Sequence, residues 1–151
     1  MKTLKLLKVA SLAFTTGLLL NQSSFADTST IEINSALTED LILTGLSGGD
    51  VKDKCGNISS TPNQVISITE PLPYLRFTVE AKDTVEAKDN EATGQTLLIS
   101  GPGGRFCVLA EGGKAELSGY WQEGKYLVYV GQSRNKQKYT LSISLKKPIL
   151  K

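Results

Sequence analysis

Apolar and polar residues alternate with a period of two along most of the chain after residue 27. In the clearest run, hydroxyl residues separate four apolar positions: Tyr139, Leu141, Ile143 and Leu145. Because successive side chains of a strand point to opposite faces, this pattern predicts a half-buried antiparallel strand. Similar patterns predict strands at 30–33, 40–46, 64–69, 74–81, 95–100, 105–109, 115–120 and 125–130. No segment has a convincing helical period.

Glycine and proline separate these segments at the spacing that is typical of a sandwich. The segment 100–105 (SGPGGR) lacks the lysine-serine ending of a phosphate-binding loop and is predicted to be a tight hairpin turn. Pro71 and Pro73 predict a stiff connector between two strands, because neither can donate to a ladder. The predicted fold is all-β: an antiparallel β-sandwich, jelly-roll-like, with one disulfide.

A charged segment is duplicated between two predicted strands. Residues 79–84 (VEAKDT) are followed directly by residues 85–90 (VEAKDN). Surface loops absorb insertions at small entropic cost, so the duplication is predicted to lengthen a hairpin loop. Its Glu, Ala and Lys content leaves a short helical turn as the alternative.

The first 26 residues have the pattern of a cleavable signal peptide. Three lysines precede an apolar stretch at 9–20, and the segment 24–26 (SFA) suits signal peptidase. An uncleaved anchor is the alternative, but the stretch is shorter than a membrane span and holds hydroxyl residues and a glycine. We therefore expect cleavage after Ala26, a mature domain at 27–151, and a periplasmic or extracellular location without membrane insertion.

The mature chain is nearly neutral, although the whole chain has a formal charge of +2. All 15 acidic residues follow Ala26, whereas 3 of the 17 basic residues precede it. Charges of both signs are interspersed, so the chain lacks the basic footprint of nucleic-acid binding. Nucleic acid is thus not an expected partner.

Cys55 and Cys107 are the two cysteines of the chain. In an exported protein an even pair predicts a disulfide. The alternative, a two-thiol metal or catalytic site, lacks supporting ligands because the sequence contains no histidine.

The same lack of histidine argues against catalysis, because the usual serine and cysteine hydrolases need such a base. Three glutamates that could form a carboxylate pair fall at predicted turns or outward positions: Glu111, Glu116 and Glu123. The oxygen-bearing residues at 50–57 raise calcium as an alternative, but their spacing matches no EF-hand and lysines interrupt them. We expect no enzymatic activity, no cofactor and no metal.

Tyr120 and Trp121 form the aromatic pair that could bind a ligand. Large stiff rings give contact area at little entropic cost. Trp121 could equally fill one end of the core, so Tyr120 is the stronger surface candidate. We expect the ligand site to lie at this aromatic corner or at the loop braced by Cys55.

The segment 124–131 (GKYLVYVG), followed by 139–143 (YTLSI), resembles the end of bacterial pre-peptidase C-terminal domains. The segment 96–104 (TLLISGPGG) resembles an earlier strand and turn of that family. The resemblance implies a jelly-roll-like sandwich that assists secreted proteases in export or substrate attachment. Gln95 and Thr96 stand where family members often carry calcium-binding aspartates, so metal binding is not implied here.

The sequence leaves two predicted functions. The first is a free-standing, exported binding or accessory module that recognises a protein or a carbohydrate. The alternative is a secreted inhibitor or a structural envelope protein that uses the disulfide-braced loop near Cys55.

Overall fold

The computed structural model describes residues 28–82, 94–133 and 136–149. These ranges contain strands and no helix. The strands are β1 (Thr30–Ile33), β2 (Leu41–Leu46), β3 (Val51–Asp53), β4 (Gly56–Ile58), β5 (Gln64–Ile68), β6 (Leu72–Ala81), β7 (Gln95–Gly101), β8 (Gly104–Leu109), β9 (Lys114–Trp121), β10 (Gly124–Gln132) and β11 (Lys138–Ser144).

The strands form two sheets, and the predicted β-sandwich is confirmed. In the first sheet β10 lies between β5 and β7, with β1 beyond β5 and β8 beyond β7. The β3–β4 hairpin joins this sheet beside the end of β10, where Gln132 stands opposite Asn57. The second sheet has the order β2-β11-β6-β9. Pairing is antiparallel except between β1 and β5, which run parallel.

The core lies between the two sheets and follows the predicted alternation. Tyr126, Val128 and Val130 of β10 are buried in it, as are Tyr139, Leu141 and Ile143 of β11. The opposite face of β10 is also covered, because Tyr129 packs against a small second cluster. That cluster consists of Cys55, Ile58 and Leu98. Covering on both faces explains why β7 and β10 are more apolar than the edge strands.

Two predictions about the connections are wrong. Pro73 lies inside β6, which begins at Leu72, so the stiff connector is shorter than expected. The ladder tolerates this proline because the register with β9 shifts between Leu72 and Leu75. In addition, β6 and β7 belong to different sheets, so the duplicated segment does not lie in a hairpin.

Residues 83–93, which include most of the duplication, lie outside the described residues, as does the predicted signal peptide. Among the described residues there is no helix long and apolar enough to cross a membrane.

Candidate functional site: a cleft between two edge strands

The candidate site begins with two strands that each end a sheet. Within the described residues β8 pairs only with β7, and β9 pairs only with β6. A tight turn joins them, closed by two main-chain hydrogen bonds between Glu111 and Lys114 of 2.9 and 3.1 Å. Beyond this turn the two strands belong to different sheets, and residues of both line a cleft.

The volume of this cleft, which we call the edge cleft, is about 290 Å³. Its lining consists of residues 117–122, from β9 and the following turn, together with Gly103, Phe106 and Tyr126. None of these residues is charged. The edge cleft thus combines aromatic surface with hydroxyl, amide and main-chain polar groups, a composition suited to an uncharged ligand.

Two aromatic side chains at the edge cleft are exposed to solvent. Tyr120 is 63% exposed and Phe106 is 41% exposed. Phe106 belongs to β8 in the first sheet, and Tyr120 belongs to β9 in the second. The ligand candidate Tyr120 is therefore on the surface, and the structure adds Phe106, which the sequence reasoning missed. Its position directly after the 100–105 turn was the available signal.

Trp121 is different, because the fold places it in the wall of the edge cleft and not on its rim. The side chain is only 5% exposed, and its Nε1 donates a hydrogen bond of 2.9 Å to the main-chain oxygen of Leu75. Its ring packs against Phe77 and Tyr126, with ring centroids 4.8 and 5.1 Å away. Trp121 thus supports the site from inside the core.

Tyr126 is a buried residue of the edge-cleft lining. The Tyr126 hydroxyl donates a hydrogen bond of 2.9 Å to the main-chain oxygen of Gln122. Burial is the main reason that the pKa of this hydroxyl is raised, so it stays protonated and remains a donor. The ring lies so close to Gly101 that a Cβ atom there would collide with it. Glycine at 101 is thus required for the Tyr126 ring to take this position.

The disulfide predicted between Cys55 and Cys107 is confirmed, with a Cα–Cα distance of 5.7 Å. It joins the β3–β4 turn to the middle of β8, the strand that carries Phe106. Cys55 is fully buried. Its main-chain oxygen accepts a hydrogen bond of 2.5 Å from the Thr96 hydroxyl, so the hairpin is anchored to β7 as well.

Asp53, in the stretch that raised calcium as an alternative, already has partners for both carboxylate oxygens. One oxygen accepts from the Cys55 amide at 2.7 Å, and the other pairs with Arg105 at 2.5 Å. The hydrogen bond from Arg105 is the main reason that the pKa of Asp53 is lowered. Among the residues that the structure describes, no group of three metal-binding side chains is present.

Fold and site together define a small disulfide-braced β-sandwich protein with an aromatic edge cleft. The chain belongs to the same family as an uncharacterized protein of Synechococcus elongatus, to which it is 34% identical over 127 residues. The match spans 80% of this chain and 86% of that relative. No family model matches the sequence.

Among solved structures, the chain is similar to the pre-peptidase C-terminal domain of a collagenase from Bacillus anthracis. The superposition covers 77% of this chain and 95% of that domain, with a TM-score of 0.48 and 15% identity.

Proposed function

We propose that this protein is an exported, non-catalytic binding module that holds a protein or a glycan in the edge cleft. The observation that carries the proposal is the pair of solvent-exposed rings, Phe106 and Tyr120, which stand on two different sheets and line one cleft. We further propose that it is a divergent, free-standing relative of pre-peptidase C-terminal domains, on the strand and turn motifs at 96–104, 124–131 and 139–143.

Phe106 and Tyr120 are both attached to well-anchored parts of the chain, which favours a role in ligand binding. Tyr120 is adjacent to the buried Trp121, and Phe106 precedes the disulfide-bonded Cys107. Both rings are therefore held by parts of the chain that cannot move far without breaking core contacts. A preorganised aromatic surface loses little conformational entropy when a ligand binds.

A non-catalytic role is supported by the chemistry of the lining. Acid–base and nucleophilic catalysis need a titratable group or an activated nucleophile beside the reacting atoms. The titratable groups of the lining are the tyrosine hydroxyls, and that of Tyr126 is occupied by Gln122. The arrangement is better suited to recognition than to reaction.

Export is supported by the N-terminal pattern and by the disulfide, which is typical of oxidising compartments. We expect the protein recovered from the culture supernatant or the periplasm to begin at Asp27, as measured by intact mass. Recovery of the full-length chain in the membrane fraction would contradict export by signal cleavage.

The binding role is tested by substituting Tyr120. With the exported protein as bait on envelope and supernatant fractions, we expect a specific protein or glycan ligand to be retained. Tyr120→Ala should weaken its affinity by about 1–3 kcal/mol, because an exposed anchor ring loses its contact area. The free energy of unfolding should change by less than about 0.5 kcal/mol, as for most exposed positions.

The matched control is Ile42→Ala, which also removes an exposed apolar side chain, 56% exposed, from an edge strand of the sandwich. This variant should bind as the parent does. Equal losses for both variants, or unaltered binding by Tyr120→Ala, would place the ligand elsewhere.

A further inference from the structure

The lining of the edge cleft shows which part of β9 a ligand meets. Side chains of a strand alternate between its two faces, so a site on a sheet face is lined by every second residue. The edge cleft is lined instead by six consecutive residues, 117–122, of which five belong to β9. The cleft therefore runs along the main-chain edge of this strand.

The main-chain groups at this edge can be assigned from the turn that precedes β9. Lys114 stands opposite Glu80 of β6, but its amide and carbonyl both bond to Glu111. In an antiparallel ladder the direction of the main-chain bonds alternates from one residue to the next. Counting from Lys114, the polar groups of Leu117 face β6, and those of Ser118 face the edge cleft.

Strand edges of this kind are normally protected against pairing with another chain. Near the turn, β9 carries charged side chains of the kind that discourage pairing, Lys114 and Glu116, which form an ion pair of 3.3 Å. From Leu117 onward the edge cleft has no charged side chain in its lining. The charged part of β9 thus ends where the edge cleft begins.

From these observations we infer that the edge cleft binds an extended, uncharged polypeptide segment, which adds as a strand to β9 through the main-chain groups of Ser118. This inference rests on the proposed binding function and specifies its ligand class. Only an extended polypeptide repeats donors and acceptors at the spacing of a strand edge. Apolar side chains of the segment would pack on the exposed rings of Phe106 and Tyr120.

The uncharged lining of the edge cleft determines which side chains the bound segment can carry. A carboxylate or ammonium group in the edge cleft would lose its hydration without gaining a charged partner, which is unfavourable. Hydroxyl and apolar side chains carry no such cost. The preferred segment therefore alternates serine or threonine with valine, isoleucine or tyrosine.

The test uses the purified exported protein and an array of heptapeptides of that composition, with acetylated and amidated ends. We expect binding by a subset of these peptides. Ser118→Pro removes the amide that faces the edge cleft, while the neighbouring amides that bond to β6 are kept, so affinity should fall at least about tenfold. Ser118→Ala keeps this amide, so it should lose clearly less affinity than Ser118→Pro.

A second arm needs no change in the protein, so it holds even if Ser118→Pro fails to fold. Two sets of peptides are N-methylated at alternate residues. In one set the methylated amides are those that would donate to β9, and that set should lose at least about tenfold in affinity. Unaltered binding by both N-methylated sets, or by a folded Ser118→Pro variant, would overturn strand addition.

A third arm separates this inference from the proposed function. Cellohexaose and xylohexaose are tested with the parent protein and with Tyr120→Ala. Binding of an oligosaccharide that depends on Tyr120, without binding of any peptide, would overturn the polypeptide ligand and leave the binding function standing. If no peptide, oligosaccharide or captured envelope component binds, both proposals are wrong.

Discussion

Replacing Cys55 and Cys107 together by serine is expected to lower the free energy of unfolding by about 4 kcal/mol. The bridge links residues 52 positions apart, so it strongly restricts the unfolded chain. The loss should appear as a lower midpoint in urea unfolding, and the parent protein with reductant should show the same shift. A change below about 1 kcal/mol in both experiments would contradict the bracing role of the bridge.

The same substitution should also loosen one part of the native protein. The β3–β4 hairpin is held to the rest of its sheet by the pairing of Gln132 with Asn57, the disulfide, the hydrogen bond from Thr96, and the ion pair between Asp53 and Arg105. Without the disulfide, amide exchange at 51–58 should accelerate more than exchange in β10. Uniform acceleration across both would show that the hairpin does not depend on the bridge.

Substituting Trp121 by alanine is expected to lower the free energy of unfolding by about 3–5 kcal/mol. The side chain is buried against Phe77 and Tyr126, and its loss leaves a cavity at one end of the core. It also removes the donor to the Leu75 oxygen. Thermal and urea unfolding measure the effect.

The neighbouring Tyr120→Ala is the control for this substitution, because it removes an aromatic ring from the next position of the same strand. Its effect on stability should stay below about 0.5 kcal/mol. A similar loss of stability for both variants would mean that Tyr120 belongs to the core, and the edge cleft would then have no exposed ring on β9.

Alternation of apolar and polar residues was enough to predict the longer strands. Its period is a local property of the backbone, and nine of the observed strands match predicted segments to within about two residues, as at Thr30–Ile33. The three-residue strands β3 and β4 were not predicted, because three residues are too few to show a period of two. Lysines at 52 and 54 also give this hairpin the composition of a loop.

The site was predictable only in part, for a different reason. Tyr120 could be placed on the surface from its phase in β9, but the edge cleft also needs Phe106 from the other sheet. Which strands end a sheet depends on pairings between distant parts of the chain, and period-two patterns do not specify these partners. The crossing between β6 and β7 was missed for the same reason.

Amide exchange with and without a bound ligand is the measurement that tests binding in the edge cleft most directly. Amide exchange is compared between the exported protein alone and the same protein saturated with its captured ligand or with a selected heptapeptide. We expect protection at 117–122 and around Phe106, with no change at Ile42 and Leu46 of β2. Protection confined to the 51–58 hairpin would contradict binding in the edge cleft and would favour an inhibitor that acts through its disulfide-braced loop.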